Sequence, residues 1–491
     1  MPHAVHEAIF RSQPDEHAFV VRDVEGTIPP DLAGTFLRTG PGLMRVGEAD
    51  LSFFDGHALI AGVTFEGGAA RFRSRFVRTP LFEKETAQKA VLQRRVFTNR
   101  PARWANLFAL ELGNSAMHDV YAWGEGEHAR VIAGNDLGHF ALDARTLATK
   151  GPETLGGAAE PGHEVGPMPY RDPRTGHLIT WVKRVGGLRP DAVRFVELEA
   201  ASRVVRSTPL HALGGSPVLL HDQRATAAWY VATEQSLRLS VGSAVWGART
   251  VYESLATPKG ATATILLVPR GGEGPMIRVP LPSPHEIAFH VINAFDEGTR
   301  VIVDLVTYDG RIGFEAAAPR TLRERTGHAP SHGPRPTPWR FVVDPSGARV
   351  VESRRLGDAS GEAPEVADGV MGAPYRYAYM PTAAPDEDVP DRGGYFYFGA
   401  LAKTDVVEAR SQTWRAAPGS VVSPCAFVAR PGATREDEGW LLSYVLREDG
   451  ARVVILDASA MESGPVATLS LGIHLPGVSH TRWAEGVRLD G

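Results

Sequence analysis

Histidine is the residue type in this sequence with the greatest capacity for metal or acid–base chemistry. The chain has 17 histidines but one cysteine, Cys425, so neither a disulfide framework nor a cysteine-ligated zinc cluster can form within it. Cys425 has no neighbouring histidine in sequence, and no Gly-x-Ser-x-Gly segment is present, so a hydrolase triad is not supported. A single histidine is most often a surface or hydrogen-bonded core residue, so the histidines need a structural context before any is given a role.

Two glycine-rich segments, residues 124–127 and 271–274, lack the strand-to-helix context of a phosphate-binding loop and are typical of turns. The formal net charge of −5 gives no basic surface for nucleic acid, so we expect no nucleic-acid partner.

The elements that must position any site are short strands. Apolar or β-branched runs of about five residues, bounded by Gly, Pro and Asp turns, recur along the chain; examples are residues 178–182, 229–232, 264–268, 301–305, 395–398 and 440–445. This pattern predicts an all-β fold, and blades of roughly 60–70 residues would give about seven. We therefore predict a seven-bladed β-propeller that forms a single domain over residues 1–491, with a few short helices and long loops on one face. Residues 317–338 and 383–392 are the longest predicted loops, and such loops usually cover a site.

The sequence also bears on location. Residues 1–10 lack an apolar core, so we expect no signal peptide. No run of about 18 apolar residues is present, so we expect no transmembrane segment. The expectation is a cytoplasmic protein, and a small apolar patch for peripheral membrane contact stays open.

A resemblance to a known family is carried by motifs in a fixed order. Residues 24–41 (VEGTIPPDLAGTFLRTGP) are similar to the opening signature of the carotenoid cleavage oxygenases, which include the retinoid isomerase and stilbene-cleaving enzymes. Further motifs follow in the order of that family; they are residues 54–60, 172–176, 221–222, 289–294, 375–379, 401–405 and 480–483. Each motif is short, but together they span nearly the whole chain.

The resemblance implies a propeller in which four histidines, one on each of four inner strands, bind Fe(II) on the axis. Neutral imidazole suits Fe(II), and glutamates behind the ligands accept their second N–H groups. By motif position, His221, His290 and His480 match the second, third and fourth ligands. The implied reaction is oxidative cleavage of a conjugated C=C bond into two carbonyls.

The resemblance also shows departures at this site. The position of the first ligand holds Met168, a thioether that suits Fe(II) less well than imidazole. His163 lies five residues earlier, and this odd offset points its side chain to the opposite strand face unless a bulge intervenes. Of the three expected outer glutamates, Glu362 is present. Asn135, beside Asp136, stands for the second, and Pro424 for the third.

Three functions stay open at this stage. The first is an oxygenase acting on an apolar conjugated alkene through an atypical three-histidine Fe(II) site, with Met168 and Glu362 as catalytic candidates and Asn135 and Glu362 as cofactor-supporting ones. The second is a metal-free isomerase, cyclase or lyase that needs no cofactor. The third is a non-catalytic binding protein. Aromatic residues are expected to line an apolar tunnel or to lie in the strand core; they are Trp104, Phe108, Trp229, Trp246, Phe314, Tyr377 and Phe427.

Overall fold

A computed structural model describes residues 9–109, 111–187, 189–247, 249–310, 335–383 and 398–490. Within these ranges, strands dominate. The two α-helices are α1 (Pro80–Gln88) and α2 (Val241–Val245). Short 3-10 helices cover Phe53–Asp55, Arg103–Asn106, Gly126–His128, Tyr252–Ser254, Asp368–Val370 and Met461–Ser463. The predicted strand at residues 395–397 and most of the two predicted long loops lie outside the described residues, as does Phe314.

Seven antiparallel sheets form the blades of a seven-bladed β-propeller, as the sequence predicted. Blade 1 contains β1 (Ala18–Val21), β8 (Ala69–Phe76), β7 (His57–Glu66), β3 (Gly34–Thr39) and β36 (His480–Ala484), with β4 (Pro41–Leu43) on β7. Blade 2 contains β9 (Asp119–Trp123), β10 (Arg130–Asn135), β11 (Gly138–Asp143) and β12 (Thr149–Glu153). Blade 3 contains β13 (His163–Val165), β14 (Tyr170–Arg171), β15 (Leu178–Arg184), β16 (Ala192–Leu198), β17 (Val204–Ser207) and β18 (His211–Ala212).

The remaining blades follow in chain order. Blade 4 contains β19 (Leu220–Ala225), β20 (Trp229–Glu234), β23 (Thr264–Pro269) and β24 (Ile277–Pro280). Blade 5 contains β25 (Val291–Glu297), β26 (Arg300–Thr307), β27 (Thr337–Asp344) and β28 (Arg349–Arg355). Blade 6 contains β29 (Tyr377–Thr382), β30 (Ala400–Asp405) and β31 (Arg410–Arg415). Blade 7 contains β32 (Val421–Ala429), β33 (Gly439–Arg447), β34 (Gly450–Asp457), β35 (Pro465–Ser470) and β2 (Asp23–Gly26). Two small ribbons pair β5 (Arg45–Val46) with β6 (Ala49–Asp50) and β21 (Arg238–Leu239) with β22 (Leu255–Ala256).

The two ends of the chain close the propeller together. The C-terminal strand β36 pairs with β3 from Thr39↔His480 to Thr35↔Ala484. Strand β2, the second strand from the N-terminus, is the outer strand of blade 7 and pairs with β35. Both pairings join residues more than 400 positions apart in sequence, so the register that brings His480 to its place depends on this closure.

Burial follows the position of a strand within its blade. Strand β3 is buried at all six positions, because neighbouring blades cover both of its faces. Strand β8 lies further out and alternates, with Phe72 and Phe76 buried and Arg71 exposed. The outermost strand of blade 5, β28, is mostly exposed. Inner strands of adjacent blades contact one another, as β36 does β9, β19 does β25, and β32 does both β29 and β36.

Helix α1 shows how local sequence sets an element's ends. Thr79 caps it by accepting a hydrogen bond from the Phe82 N–H, with Pro80 in the first turn. It ends at Gln88 because Lys89 takes a left-handed conformation with φ 51°. Among the described residues, no helix is long and apolar enough to cross a bilayer.

Candidate metal centre at the propeller axis

Four histidines lie where inner strands begin or run beside the axis. His480 is the first residue of β36 in blade 1, and His118 immediately precedes β9 in blade 2. His221 lies on β19 in blade 4, and His290 immediately precedes β25 in blade 5. We call these residues the four-histidine cluster.

The four imidazoles form a closed circuit of neighbours. The ring centres of His118 and His221 are 4.7 Å apart, and those of His221 and His290 are 4.9 Å apart. The circuit is completed by 5.4 Å between His290 and His480 and 5.4 Å between His480 and His118. The structure therefore brings His221, His290 and His480 together, as their motif positions implied, and adds His118.

The four rings are close together but do not yet form a metal-binding geometry. Among the described residues, no three His, Cys, Asp or Glu side chains meet the geometry needed to hold a metal ion. Histidine–metal bonds are about 2 Å long, so metal binding requires the rings to rotate about their side-chain torsions. Because the ring centres are already close together, rotation of the imidazole rings is the main change that metal binding would need.

Glu362 is the partner of His290. Its Oε2 accepts a hydrogen bond from His290 Nδ1 at short distance, and its Oε1 accepts one from the Tyr308 hydroxyl at 2.8 Å. The carboxylate is fully buried. This contact favours the tautomer of His290 that carries its proton on Nδ1 and its lone pair on Nε2.

A second carboxylate lies beside His118. Asp136 Oδ1 is 3.7 Å from His118 Nδ1, at the turn between β10 and β11. Asn135, the residue aligned with an expected glutamate, makes a different contact. Its Oδ1 accepts a hydrogen bond from the Leu137 N–H at 3.0 Å and closes the turn.

Blade 3, which should carry the first ligand by motif position, has an interrupted inner strand. Met168 is buried in the gap between β13 and β14, and its carbonyl accepts a hydrogen bond from Gln223 Nε2 at 2.6 Å. His163 is the first residue of β13, and its Nδ1 accepts a hydrogen bond from the Glu160 N–H at 3.3 Å. Pro424 lies on β32, within its bulge.

The electrostatics of the cluster favour neutral imidazole at three positions. Burial lowers the pKa of His118 to about 4, and it lowers the pKa of His221 and His480 well below the ordinary value, with neighbouring histidines adding to the effect. Burial also opposes the charged form of His290, but Glu362 offsets it and raises the pKa of His290. Neutral imidazole is the form that binds metal cations.

Sequence reasoning missed His118 because no family motif marks it. A usable signal was its position: like His290, it directly precedes an inner strand. The expectation for three aromatic residues was wrong. Trp104, Phe108 and Trp246 line neither a tunnel nor a core but are 81%, 71% and 72% exposed.

Comparison with known proteins agrees with the fold and with the oxygenase class. Residues 10–485 match the family model described as Retinal pigment epithelial membrane protein (RPE65). The chain is 31% identical to apocarotenoid-15,15'-oxygenase of Synechocystis, over 97% of this chain and 95% of that protein. It is 28% identical to isoeugenol monooxygenase of Pseudomonas putida, over 94% of each chain. The crystal structure of the cobalt-substituted Synechocystis oxygenase superposes with a TM-score of 0.88 at 29% identity, covering 99% of both chains.

The chain therefore belongs to the RPE65 family of carotenoid cleavage oxygenases. It is an enzyme of the oxygenase type that its relatives represent.

Proposed function

We propose that this protein is a non-haem Fe(II) oxygenase that cleaves the C=C bond of a small apolar conjugated alkene. The observation that carries the proposal is the proximity of His221, His290 and His480, whose ring centres are 4.9 Å and 5.4 Å apart in turn, with Glu362 hydrogen-bonded to His290. Similarity to an apocarotenoid oxygenase and to an isoeugenol monooxygenase supports two substrate classes, apocarotenoids and phenylpropenoids.

The donor set suits the metal. Imidazole nitrogens are good ligands for Fe(II), and fewer than six protein ligands leave positions for oxygen. His221 Nδ1 is buried and has no hydrogen-bond partner among the described residues, an arrangement that favours a cation nearby. When bound, ferrous iron would supply the activation of dioxygen, whose two atoms end in the two carbonyl products.

Residues around the cluster orient one of the imidazoles and place apolar surface beside it. Glu362 holds the Nδ1 proton of His290 and fixes the plane of the ring. The Phe289 ring packs edge-on against His221, with ring centres 5.1 Å apart, and places apolar surface beside the cluster. Such surface excludes water and suits an apolar substrate.

An exposed apolar patch supports delivery of such a substrate from a lipid surface. The patch consists of Trp104, Leu107, Phe108 and Trp246. The Phe108 N–H donates to the Val245 carbonyl at 3.0 Å and so holds its two segments together. Contiguous exposed aromatic residues often mark contact sites, and tryptophan favours the membrane interface. We propose peripheral contact with a membrane through this patch.

The test is anaerobic loading of the full-length protein with ferrous iron, followed by metal analysis and oxygen uptake with an apocarotenal and with isoeugenol. We expect near-stoichiometric iron, and one dioxygen consumed for each alkene converted into two carbonyl products. His290→Ala should lose both iron and uptake, whereas His211→Ala, in blade 3, should keep them. Turnover without iron or oxygen would contradict the proposal and favour a metal-free isomerase, cyclase or lyase.

A further inference from the structure

The first ligand position implied by the family resemblance is occupied by Met168, yet the cluster at the axis contains four imidazoles. The fourth is His118, which belongs to blade 2 rather than blade 3. Its ring neighbours are His221 and His480, at 4.7 Å and 5.4 Å between ring centres. His118 thus fills the side of the circuit that lies between blades 1 and 4.

The backbone holds His118 at this place. The His118 N–H donates to the Gly134 carbonyl at 2.9 Å, which extends the pairing of β9 with β10 by one residue. Asp119, the next residue, pairs with Arg482, two residues after His480. The strands that carry His118 and His480 are therefore joined beside the cluster, and the two rings are nearly parallel, with 6° between their planes.

His118 also has an outer carboxylate. Asp136 Oδ1 lies 3.7 Å from His118 Nδ1, on the same ring nitrogen that Glu362 engages in His290 but slightly beyond hydrogen-bond distance. The main chain of Asp136 is fixed, because its carbonyl accepts a hydrogen bond from the Val165 N–H at 2.9 Å. Metal-ligating histidines usually donate their second N–H to such a carboxylate.

Blade 3 offers no equivalent imidazole at the corresponding place. Met168 lies in the strand gap, and the main chain there is held by Gln223 from blade 4. His163 is engaged by the backbone of Glu160 at the start of β13. In the neighbouring blade 2, the imidazole of His118 lies beside the rings of His221 and His480.

We propose that His118 is the fourth metal ligand of this protein, displaced by one blade from position 168, with Asp136 as its outer hydrogen-bond acceptor. The proposal rests on the proposed function, because it requires a metal at the axis. It changes the expected site from three imidazoles to four and assigns a role to an aspartate that no motif marks.

The experiment is anaerobic titration of metal-free, full-length protein with Co(II), read by metal affinity and by the visible spectrum. Cobalt reports the number and type of its ligands, so the readout does not depend on turnover. We expect His118→Ala to weaken binding by more than about 100-fold, since loss of an outer partner alone costs 10–100-fold, and to change the spectrum. Met168→Ala and His211→Ala should bind as the wild type does. Asp136→Asn should weaken binding by about 10-fold or more while keeping the spectral type.

A restoring variant separates ligation from folding. In the double variant His118→Ala/Met168→His an imidazole returns at the family's position, and we expect affinity to recover at least in part. His118→Gln serves as a second variant if His118→Ala fails to fold by circular dichroism. Wild-type affinity and spectrum in folded His118→Ala or His118→Gln, with binding lost in His290→Ala, would overturn the role of His118 alone. Absence of binding in the wild type would overturn the proposed function and this inference with it.

Discussion

Arg482 on β36 donates through Nη2 to Asp119 on β9 at 3.2 Å, and this pair joins blade 1 to blade 2 beside the histidine cluster. Asp119 is almost fully buried, and Arg482 is 17% exposed at its side chain. Burial raises the pKa of Asp119, while Arg482 acts in the opposite direction. The pair thus joins the C-terminal strand of the chain to the inner strand of blade 2.

Asp119→Asn should destabilise the protein by about 1–3 kcal/mol, because the part-buried Arg482 guanidinium loses its charged acceptor. The measurement is urea unfolding of the full-length protein at neutral pH. The matched control is Glu66→Gln, whose carboxylate is exposed and 4.0 Å from Arg488. It should cost less than about 1 kcal/mol. If the two substitutions lower the free energy of unfolding equally, the ion pair between Asp119 and Arg482 does not stabilise the fold more than an exposed pair does.

Glu362→Gln should weaken metal binding by about 10–100-fold without unfolding the protein. An amide accepts the His290 N–H less strongly than a carboxylate does, and it also alters the hydrogen bond from Tyr308. Anaerobic metal titration measures the effect. Glu352→Gln, on the exposed strand β28, is the control and should bind metal normally. Unchanged affinity in Glu362→Gln would mean that Glu362 does not orient a metal ligand.

The fold could be predicted from the sequence because its signals are repeated many times. Short strands and turn residues recur along the chain, and the ordered motifs identify the family. A misassigned residue at one position therefore does not change the predicted fold. The helix near residue 82 was less well placed. From the sequence, the best candidate for a helix is residues 82–92, whereas α1 spans Pro80–Gln88, because the Thr79 cap and the left-handed Lys89 set its ends.

The site was harder to predict because it depends on single positions in different blades. His221, His290 and Glu362 were found from motifs, and the structure places them together. His118 could not be found in the same way, since its contacts with His480 of blade 1 and His221 of blade 4 arise only in the folded propeller. The exposed Trp246 was missed for a related reason: composition alone does not tell an aromatic surface patch from a core.

The apolar patch should bind lipid bilayers. We expect the full-length protein to co-sediment with phosphatidylcholine vesicles and Trp104→Ser/Trp246→Ser to lose most of this binding, because burial of an aromatic side chain is worth about 2 kcal/mol or more. Val407→Ser is the matched control, since Val407 is 63% exposed but lies in the turn between β30 and β31. Equal sedimentation of the two variants would contradict membrane contact through the patch.

Glu365 should make stability depend on pH in the neutral range. Its carboxyl is enclosed near Cys425 and Phe427, and burial raises the pKa of Glu365 to about 8, with Asp368 adding to the effect and Arg482 opposing it. In the unfolded chain a glutamate has a pKa of about 4.3. Between these two values the folded protein holds a proton that the unfolded chain has lost. The stabilising contribution is therefore fully present below about pH 4 and is lost as pH rises through 8.

Glu365→Gln replaces the ionisable carboxyl group with an amide that does not titrate. The difference in unfolding free energy between wild type and variant therefore isolates the contribution of Glu365. We expect that difference to fall by about 2 kcal/mol between pH 6 and pH 8, at no more than about 1.4 kcal/mol per pH unit, and then to level off at higher pH. Urea unfolding at pH 6, 7, 8 and 9 measures it. Glu48→Gln, at an almost fully exposed carboxylate, should show no such trend. A constant difference between wild type and Glu365→Gln across this range would mean that Glu365 is already ionised in the folded protein at pH 6.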